Sequence, residues 1–265
     1  MRLLNGWRRN RLRALPLPAE WERIIERNVV FFDCLSAAQR RELFGNTQVL
    51  LAEKQFEGCG GLALSDEIRV TVAAYAAALL LGRETDYYPK LTSILIYPDT
   101  YVASGERHIG EGIWEDGDDA RFGQTGPRLS AVVVAWDDVP RGNHATRDGG
   151  NVVLHEFAHQ LDYENGSVDG TPLLEPGQRA SWARVCEPEF DRLRRAVVDG
   201  EPTFIRRYGA TNPAEFFAVV TELFFHCGGE LRNNHPDLYR QFASFYRLDS
   251  ARWRRVERLG LSPST

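Results

Sequence analysis

The chain has 265 residues, of which 43% are hydrophobic and 11% aromatic, so it is long and apolar enough to bury a substantial core. Its formal net charge is −5 and its charged residues form no long tail, which argues against a nucleic-acid-binding protein. The four cysteines form no CxxC pair, and no apolar run fits a signal peptide or a membrane span, so we expect a cytoplasmic protein with free thiols.

The N-terminal region, residues 1–88, is predicted to be mostly helical and to pack on the core, within one continuous domain or as a separate one. Apolar residues at helical spacing predict three helices, near 18–29, 36–44 and 65–81. Ser36 and Ser65 are suitable N-caps for the second and third of them. We interpret the basic cluster at 8–13 as a solvated arm, and residues 47–56 as a strand or an extended link.

Residues 89–265 combine strands with later helices. Two β-rich runs, 91–97 and 129–136, end at turn signals and predict strands, with an irregular or hairpin region at 105–126 between them. A glycine-rich loop at 141–150 follows the second strand. Further helices are expected near 152–162, 178–199, 213–226 and 236–248. Strands followed by helices indicate an α+β fold with a small sheet packed on helices.

The segment Val152–Asp162 carries His-Glu-x-x-His within an apolar helical pattern. Positions four apart lie one above the other on a helix, so His155 and His159 can offer their imidazoles to one metal ion. Glu156 lies beside them, where it is suited to activating a water molecule. A helix with two histidines on a polar stripe is the alternative, but the apolar run and the glycines before it favour the metal site.

Two histidines leave a catalytic zinc site one protein ligand short. The metzincin class would place a third histidine six residues beyond the second one, and Asn165 occupies that position, which excludes this class. A later helix offers Glu215 in its first turn, after the suitable N-cap Asn212 and Pro213. An acidic residue is also common at a helix start, and Glu222 on the same face is a rival ligand or a supporting partner.

Two linked motifs carry a resemblance to a known family. HEFAHQLD at 155–162 and YGATNPAEFFA at 208–218 resemble the catalytic domain of anthrax lethal factor and the Mlc titration factor A family of zincin metallopeptidases. The second resemblance includes four further segments: LIYPDTYV at 95–102, GQTGP at 123–127, VVVAWDD at 132–138 and PDLYRQFASFYRLD at 236–249. It covers roughly residues 90–250 well and the N-terminal helices only loosely.

The resemblance implies one Zn²⁺ per chain, bound by His155, His159 and Glu215. It implies that Glu156 is the general base and that Tyr208 is the phenol facing the reacting carbonyl. Asp162 also matches the family pattern, either orienting a metal ligand from behind or as an ordinary polar residue near a helix end. Together with Glu222, Asp162 is therefore a candidate for the layer of residues that supports the metal ligands.

The sequence thus predicts an α+β, zincin-like metallopeptidase domain at 89–265, with a small mixed sheet packed on helices, an HExxH active-site helix and a helical N-terminal region. We expect a cytoplasmic zinc peptidase with aminopeptidase-like action on a peptide or protein substrate. The strand at 132–136 is the natural edge to pair with an extended peptide, with an interior strand as the alternative.

Two other functions compete with this interpretation. The family resemblance also implies binding to the glucose-responsive transcriptional repressor Mlc, so the protein would sequester a repressor and cleave peptides only secondarily. A structural zinc site is the third hypothesis, although neither Glu156 nor Tyr208 is needed merely to hold zinc. Direct contact with nucleic acid or with a membrane is not expected.

Overall fold

The computed structural model describes residues 2–99, 106–108, 114–116, 130–139 and 150–253, and every structural statement below concerns these residues. The GQTGP segment and most of the glycine-rich loop, up to residue 149, lie outside them.

Four helices make up most of the N-terminal region: α1 (Arg2–Ala14), α2 (Ala19–Asn28), α3 (Ala37–Glu53) and α4 (Asp66–Ala78). Both predicted N-caps are confirmed. The Ser36 side chain accepts a hydrogen bond from the Gln39 backbone, and the Gln39 side chain accepts one from the Ser36 backbone. The Ser65 side chain accepts from the Ile68 backbone. Helix α4 is buried along nearly its whole length, as the apolar sequence predicts, and it contacts the later part of the chain.

Two expectations for this region are wrong. Residues 47–53 continue α3, and only Gln55–Gly58 form a strand, β1. Val49 and Leu50 are fully buried in the core, and this burial outweighs the extended preference of the local sequence. The basic cluster at 8–13 lies in α1, where Arg9 pairs with Glu53, so it forms a docked helix and not an arm.

The main sheet has three strands in the order β1, β2 (Ser93–Tyr97) and β5 (Ala131–Ala135), and all pairs are parallel. Strands β3 (Glu106–His108) and β4 (Trp114–Asp116) pair antiparallel in a separate ribbon. The fold class is confirmed, but the described strands form these two sheets and not one mixed sheet. The reason is topological, because α4 crosses over between β1 and β2 and returns the chain in the same direction.

The later chain forms five helices: α5 (Val152–Asp162), α6 (Gln178–Val198), α7 (Pro213–His226), α8 (Gly228–Asn234) and α9 (Pro236–Tyr246). Every residue of α7 from Ala214 to His226 is buried, which makes α7 the central helix. An aromatic cluster around it joins α6, α7 and α9 through Trp182, Phe217, Phe242 and Phe245. The short α8 was not predicted, since two glycines open it.

Strand β1 and helix α4 precede residue 89 in the chain, yet both contact elements that follow it. The boundary between residues 88 and 89 stays a prediction. No disulfide links the four cysteines, and within the described ranges no helix is both long enough and apolar enough to cross a membrane.

Because α9 packs on the aromatic core around α7, removing a buried side chain from α9 should lower the free energy of unfolding. Leu238 of α9 is fully buried, so Leu238→Ala should lower the free energy of unfolding by about 2–5 kcal/mol, through lost burial and a cavity. Leu173 is 54% exposed, and the same substitution there should change stability by less than about 0.5 kcal/mol. Urea denaturation of both variants checks this, and equal losses would contradict the packing described here.

Candidate metal centre

Helix α5 positions its histidines because its other face is anchored in the core. Its N-cap Asn151 accepts a hydrogen bond from the Leu154 backbone at 3.0 Å, which starts the helix. Val153, Phe157 and Leu161 are buried against the core. The opposite face therefore turns His155 and His159 towards α7.

Helix α7 brings the third ligand atom. Asn212 caps α7 by accepting from the Glu215 backbone at 3.0 Å, and Pro213 occupies its first turn. The Glu215 carboxylate then lies 3.0 Å from Nε2 of His155 and 3.5 Å from Nε2 of His159. A residue favoured at a helix start thus also reaches the two histidines.

His155, His159 and Glu215 together form a group able to hold a metal ion. Their ligand atoms lie within 4.8 Å of one another, and the two histidine Nε2 atoms are 3.2 Å apart. Two imidazole nitrogens and one carboxylate oxygen are the donor set that catalytic zinc sites use. His155 and Glu215 are buried and His159 is partly exposed, so the group lies at the edge of the core with one ligand open to solvent.

Glu222 lies behind His155 and not among the converging ligand atoms. Glu222 lies two helical turns beyond Glu215 on α7, and its carboxylate is 2.8 Å from Nδ1 of His155. It also accepts hydrogen bonds from the Asn151 backbone and from the Arg206 guanidinium. This geometry matches a supporting partner, the usual acceptor for the outer N–H of a metal-binding imidazole.

Hydrogen bonds within the group shift the pKa values of both His155 and Glu215. Burial disfavours a charged His155, yet its hydrogen bonds with Glu215 and Glu222 raise its pKa to about 10. Burial also disfavours an ionised Glu215, yet its hydrogen bonds with His155 and His159 hold its pKa well below the usual range. A proton on His155 therefore competes with any metal ion for the same nitrogen.

Glu156 and Tyr208 flank the group. Burial raises the pKa of Glu156 to about 7, and among the described residues its buried Oε1 atom has no hydrogen-bond partner. Tyr208 lies in a 3₁₀ turn, Arg207–Ala210, which precedes α7, with its ring centre 5.9 Å from that of His155. The two side chains thus place a carboxylate and a phenol beside the convergent ligands.

Asp162 contacts the loop that follows α5. Its Oδ2 accepts from the Gly170 backbone at 2.8 Å, while its buried Oδ1 and Nδ1 of His159 have no hydrogen-bond partner among the described residues. Gly170 adopts a φ of +78°, and a Cβ there would lie 2.2 Å from the Pro213 carbonyl oxygen. Asp162 thus holds a close contact between this loop and the start of α7; its role towards a metal ligand stays a prediction.

Arg206 is a site residue that the sequence did not reveal. Its neighbour Arg207 has the same chemistry, but Arg207 donates to the Val197 carbonyl at 2.8 Å whereas Arg206 donates to Glu222. No local pattern distinguishes the two arginines, because the difference arises from how the turn before α7 packs.

An HExxH helix that meets a carboxylate from a later helix, beside a small sheet, defines a zincin-like metallopeptidase. The chain belongs to the glucose-regulated metallo-peptidase M90 family, whose profile matches residues 4–247. This confirms the family expected from the motifs, and it extends the match into the N-terminal helices.

Sequence alignments with related proteins cover nearly the whole chain. A protein of Synechocystis sp. named "Uncharacterized protein slr2042" is 38% identical over 246 residues, which is 92% of this chain and 89% of that protein. Proteins named Mlc titration factor A from Yersinia pestis and Yersinia pseudotuberculosis are 28% identical over 255 residues, 95% of this chain and 92% of theirs. The similarity thus spans the described site and the helices before it.

The raised pKa of His155 predicts that metal affinity depends on pH. A metal ion must displace the proton that His155 holds below about pH 10, so binding should tighten as pH rises. We expect the dissociation constant for Zn²⁺ to fall roughly tenfold from pH 7 to pH 8, one proton per ion. Competition with a chromophoric chelator at both pH values measures it. Equal affinity at both would show that His155 does not release a proton on binding.

Proposed function

We propose that the chain is a zinc-dependent peptidase that hydrolyses peptide bonds. The observation that carries this proposal is the convergence of His155, His159 and Glu215 beside Glu156, whose buried Oε1 has no hydrogen-bond partner among the described residues. The donor set suits Zn²⁺, one ion per chain. When bound, zinc polarises a substrate carbonyl and lowers the pKa of a water molecule to about 7.

Glu156 is proposed as the general base. A base works best when its pKa lies near the working pH, and burial raises the pKa of Glu156 to about 7. Its Oε1 atom accepts no hydrogen bond from the described part of the chain, so it can take a proton from the attacking water and later pass it to the leaving amine.

Tyr208 is proposed as the donor to the oxyanion. Its turn immediately precedes α7, and its ring lies against His155 at the metal-binding group. A phenol hydroxyl there donates to the oxygen on which negative charge develops. Such a contact is stronger in the transition state than with the bound substrate, so it would lower the barrier.

Strand β5 is proposed to bind the peptide. It forms one edge of the three-stranded sheet, with β2 on its inner side and no described strand on the other. An exposed edge offers backbone groups to which an extended peptide can add as a further strand. Aminopeptidase-like cleavage remains part of the proposal, and it rests on the family resemblance.

The general-base role predicts that replacing Glu156 abolishes most activity but leaves the amount of bound metal unchanged. Glu156→Gln should retain Zn²⁺, because Glu156 is not one of the convergent ligands, but should lower kcat by about 10²–10⁴-fold. A peptide-library cleavage assay with metal analysis on the same samples measures both. Glu187→Gln, at an exposed site on α6, is the matched control and should behave as wild type. Full activity in Glu156→Gln would defeat the mechanism.

We keep one alternative, a regulatory protein that binds and sequesters a transcriptional repressor of the Mlc type. The name of relatives that align over 95% of the chain favours it. Such a partner, and thiols without disulfides, support a cytoplasmic location. The proposal includes no direct contact with nucleic acid or a membrane.

Repressor binding predicts a different outcome for the same variant. If sequestration is the main role, wild type and Glu156→Gln should bind a purified Mlc-type repressor with equal affinity, since the base takes no part in docking. Calorimetry with the two proteins measures this. Peptide cleavage by wild type without any repressor binding would rule the alternative out.

A further inference from the structure

We propose that Arg206 is a positioning residue that fixes two parts of the site together, the metal ligand His155 and the turn that carries Tyr208. It does so through the Glu222 carboxylate, to which its guanidinium donates. The inference rests on the proposed metal site and deepens it, because it assigns a role to a residue outside the ligand set.

Glu222 needs a cationic partner because it is deeply buried. It is 1% exposed, and a buried carboxylate is costly unless hydrogen bonds and opposite charge compensate it. Within the described part of the chain, three donors reach it, from the Asn151 backbone, from His155 and from Arg206. Of these only Arg206 carries a charge that is independent of pH and of metal binding.

The first consequence concerns His155. A carboxylate accepts hydrogen bonds, so Nδ1 of His155 donates to Glu222 and Nε2 faces the Glu215 carboxylate. Arg206 holds the Glu222 carboxylate in place by donating to it, and thereby fixes the imidazole orientation that metal binding requires. Loss of Arg206 should therefore weaken metal binding without removing a ligand.

The second consequence concerns Tyr208. The Arg206 carbonyl oxygen accepts from the Gly209 backbone at 3.0 Å, which closes the turn around Tyr208. Gly209 is buried, and a Cβ there would lie 3.4 Å from Val219 of α7. The backbone of the turn thus rests on α7 while the Arg206 side chain reaches Glu222 on the same helix. The turn that carries Tyr208 is therefore attached to α7 twice, through its backbone at Gly209 and through the Arg206 side chain.

The test is a double-mutant cycle on Zn²⁺ affinity, measured by chelator competition with zinc alone as the probe. Arg206→Met and Glu222→Gln should each weaken zinc binding roughly 10–100-fold. If Arg206 acts through Glu222, the double variant should bind zinc within about twofold of Glu222→Gln alone. If the loss of zinc affinity in the double variant equals the product of the two single losses, the proposal is wrong. Wild-type zinc affinity in Arg206→Met would also overturn it.

Two further variants separate positioning from folding. Arg206→Lys keeps the charge but loses the planar fork, so it should restore part of the affinity and remain testable if Arg206→Met does not fold. Arg207→Met removes the neighbouring guanidinium, which donates to the Val197 carbonyl at the surface, and should leave zinc affinity unchanged. An equal loss in Arg207→Met would show a general effect of the turn and overturn the assignment.

Spectroscopy and kinetics give independent readouts. With Co²⁺ in place of zinc, Arg206→Met should shift the visible absorption bands, because the imidazole geometry changes, and Arg207→Met should not. At saturating zinc, Arg206→Met should lower kcat with little change in KM, since Tyr208 acts in the transition state. A chain that binds metal but cleaves no peptide would refute the proposed function alone, and the affinity cycle would still decide the role of Arg206.

Discussion

The close packing of α5 against α7 is the contact on which the site depends. Helix α5 supplies two imidazoles and α7 supplies a carboxylate, and the ligand atoms approach within 4.8 Å only because apolar faces on both helices are buried. A buried interface of this kind is rigid, since close-packed side chains resist displacement. The metal-binding geometry is therefore maintained by core packing, and changes far from the ligands can disturb it.

Buried charge is the second constraint, and it links residues that lie far apart in the chain. Glu215 and Glu222 are both nearly inaccessible to water, so each needs donors close by. His155 lies between them and bonds to both, and Arg206 completes the set. Each buried carboxylate therefore has donors within hydrogen-bond distance, and the same contacts orient His155 towards the metal-binding group.

Much of the fold followed from local signals. Serine caps predicted the starts of α3 and α4, apolar runs predicted β2, β5 and the buried α4, and the later helices lie close to their expected ranges. The errors have physical causes. Residues 47–53 are helical because Val49 and Leu50 are buried there, and the strand direction depends on crossover connections that no strand sequence records.

For the site, the sequence alone identified the HExxH helix, because a spacing of four residues on a helix puts both imidazoles on one face. It also singled out Glu215 and Glu222 on one helix, but residue type and helix position left both open as ligands, and only the family resemblance favoured Glu215. The tertiary structure separated them: Glu215 meets the imidazole nitrogens, and Glu222 lies behind His155 with Arg206. Local chemistry specifies which side chains are available, whereas their distances come from the packing of helices that are remote in the chain.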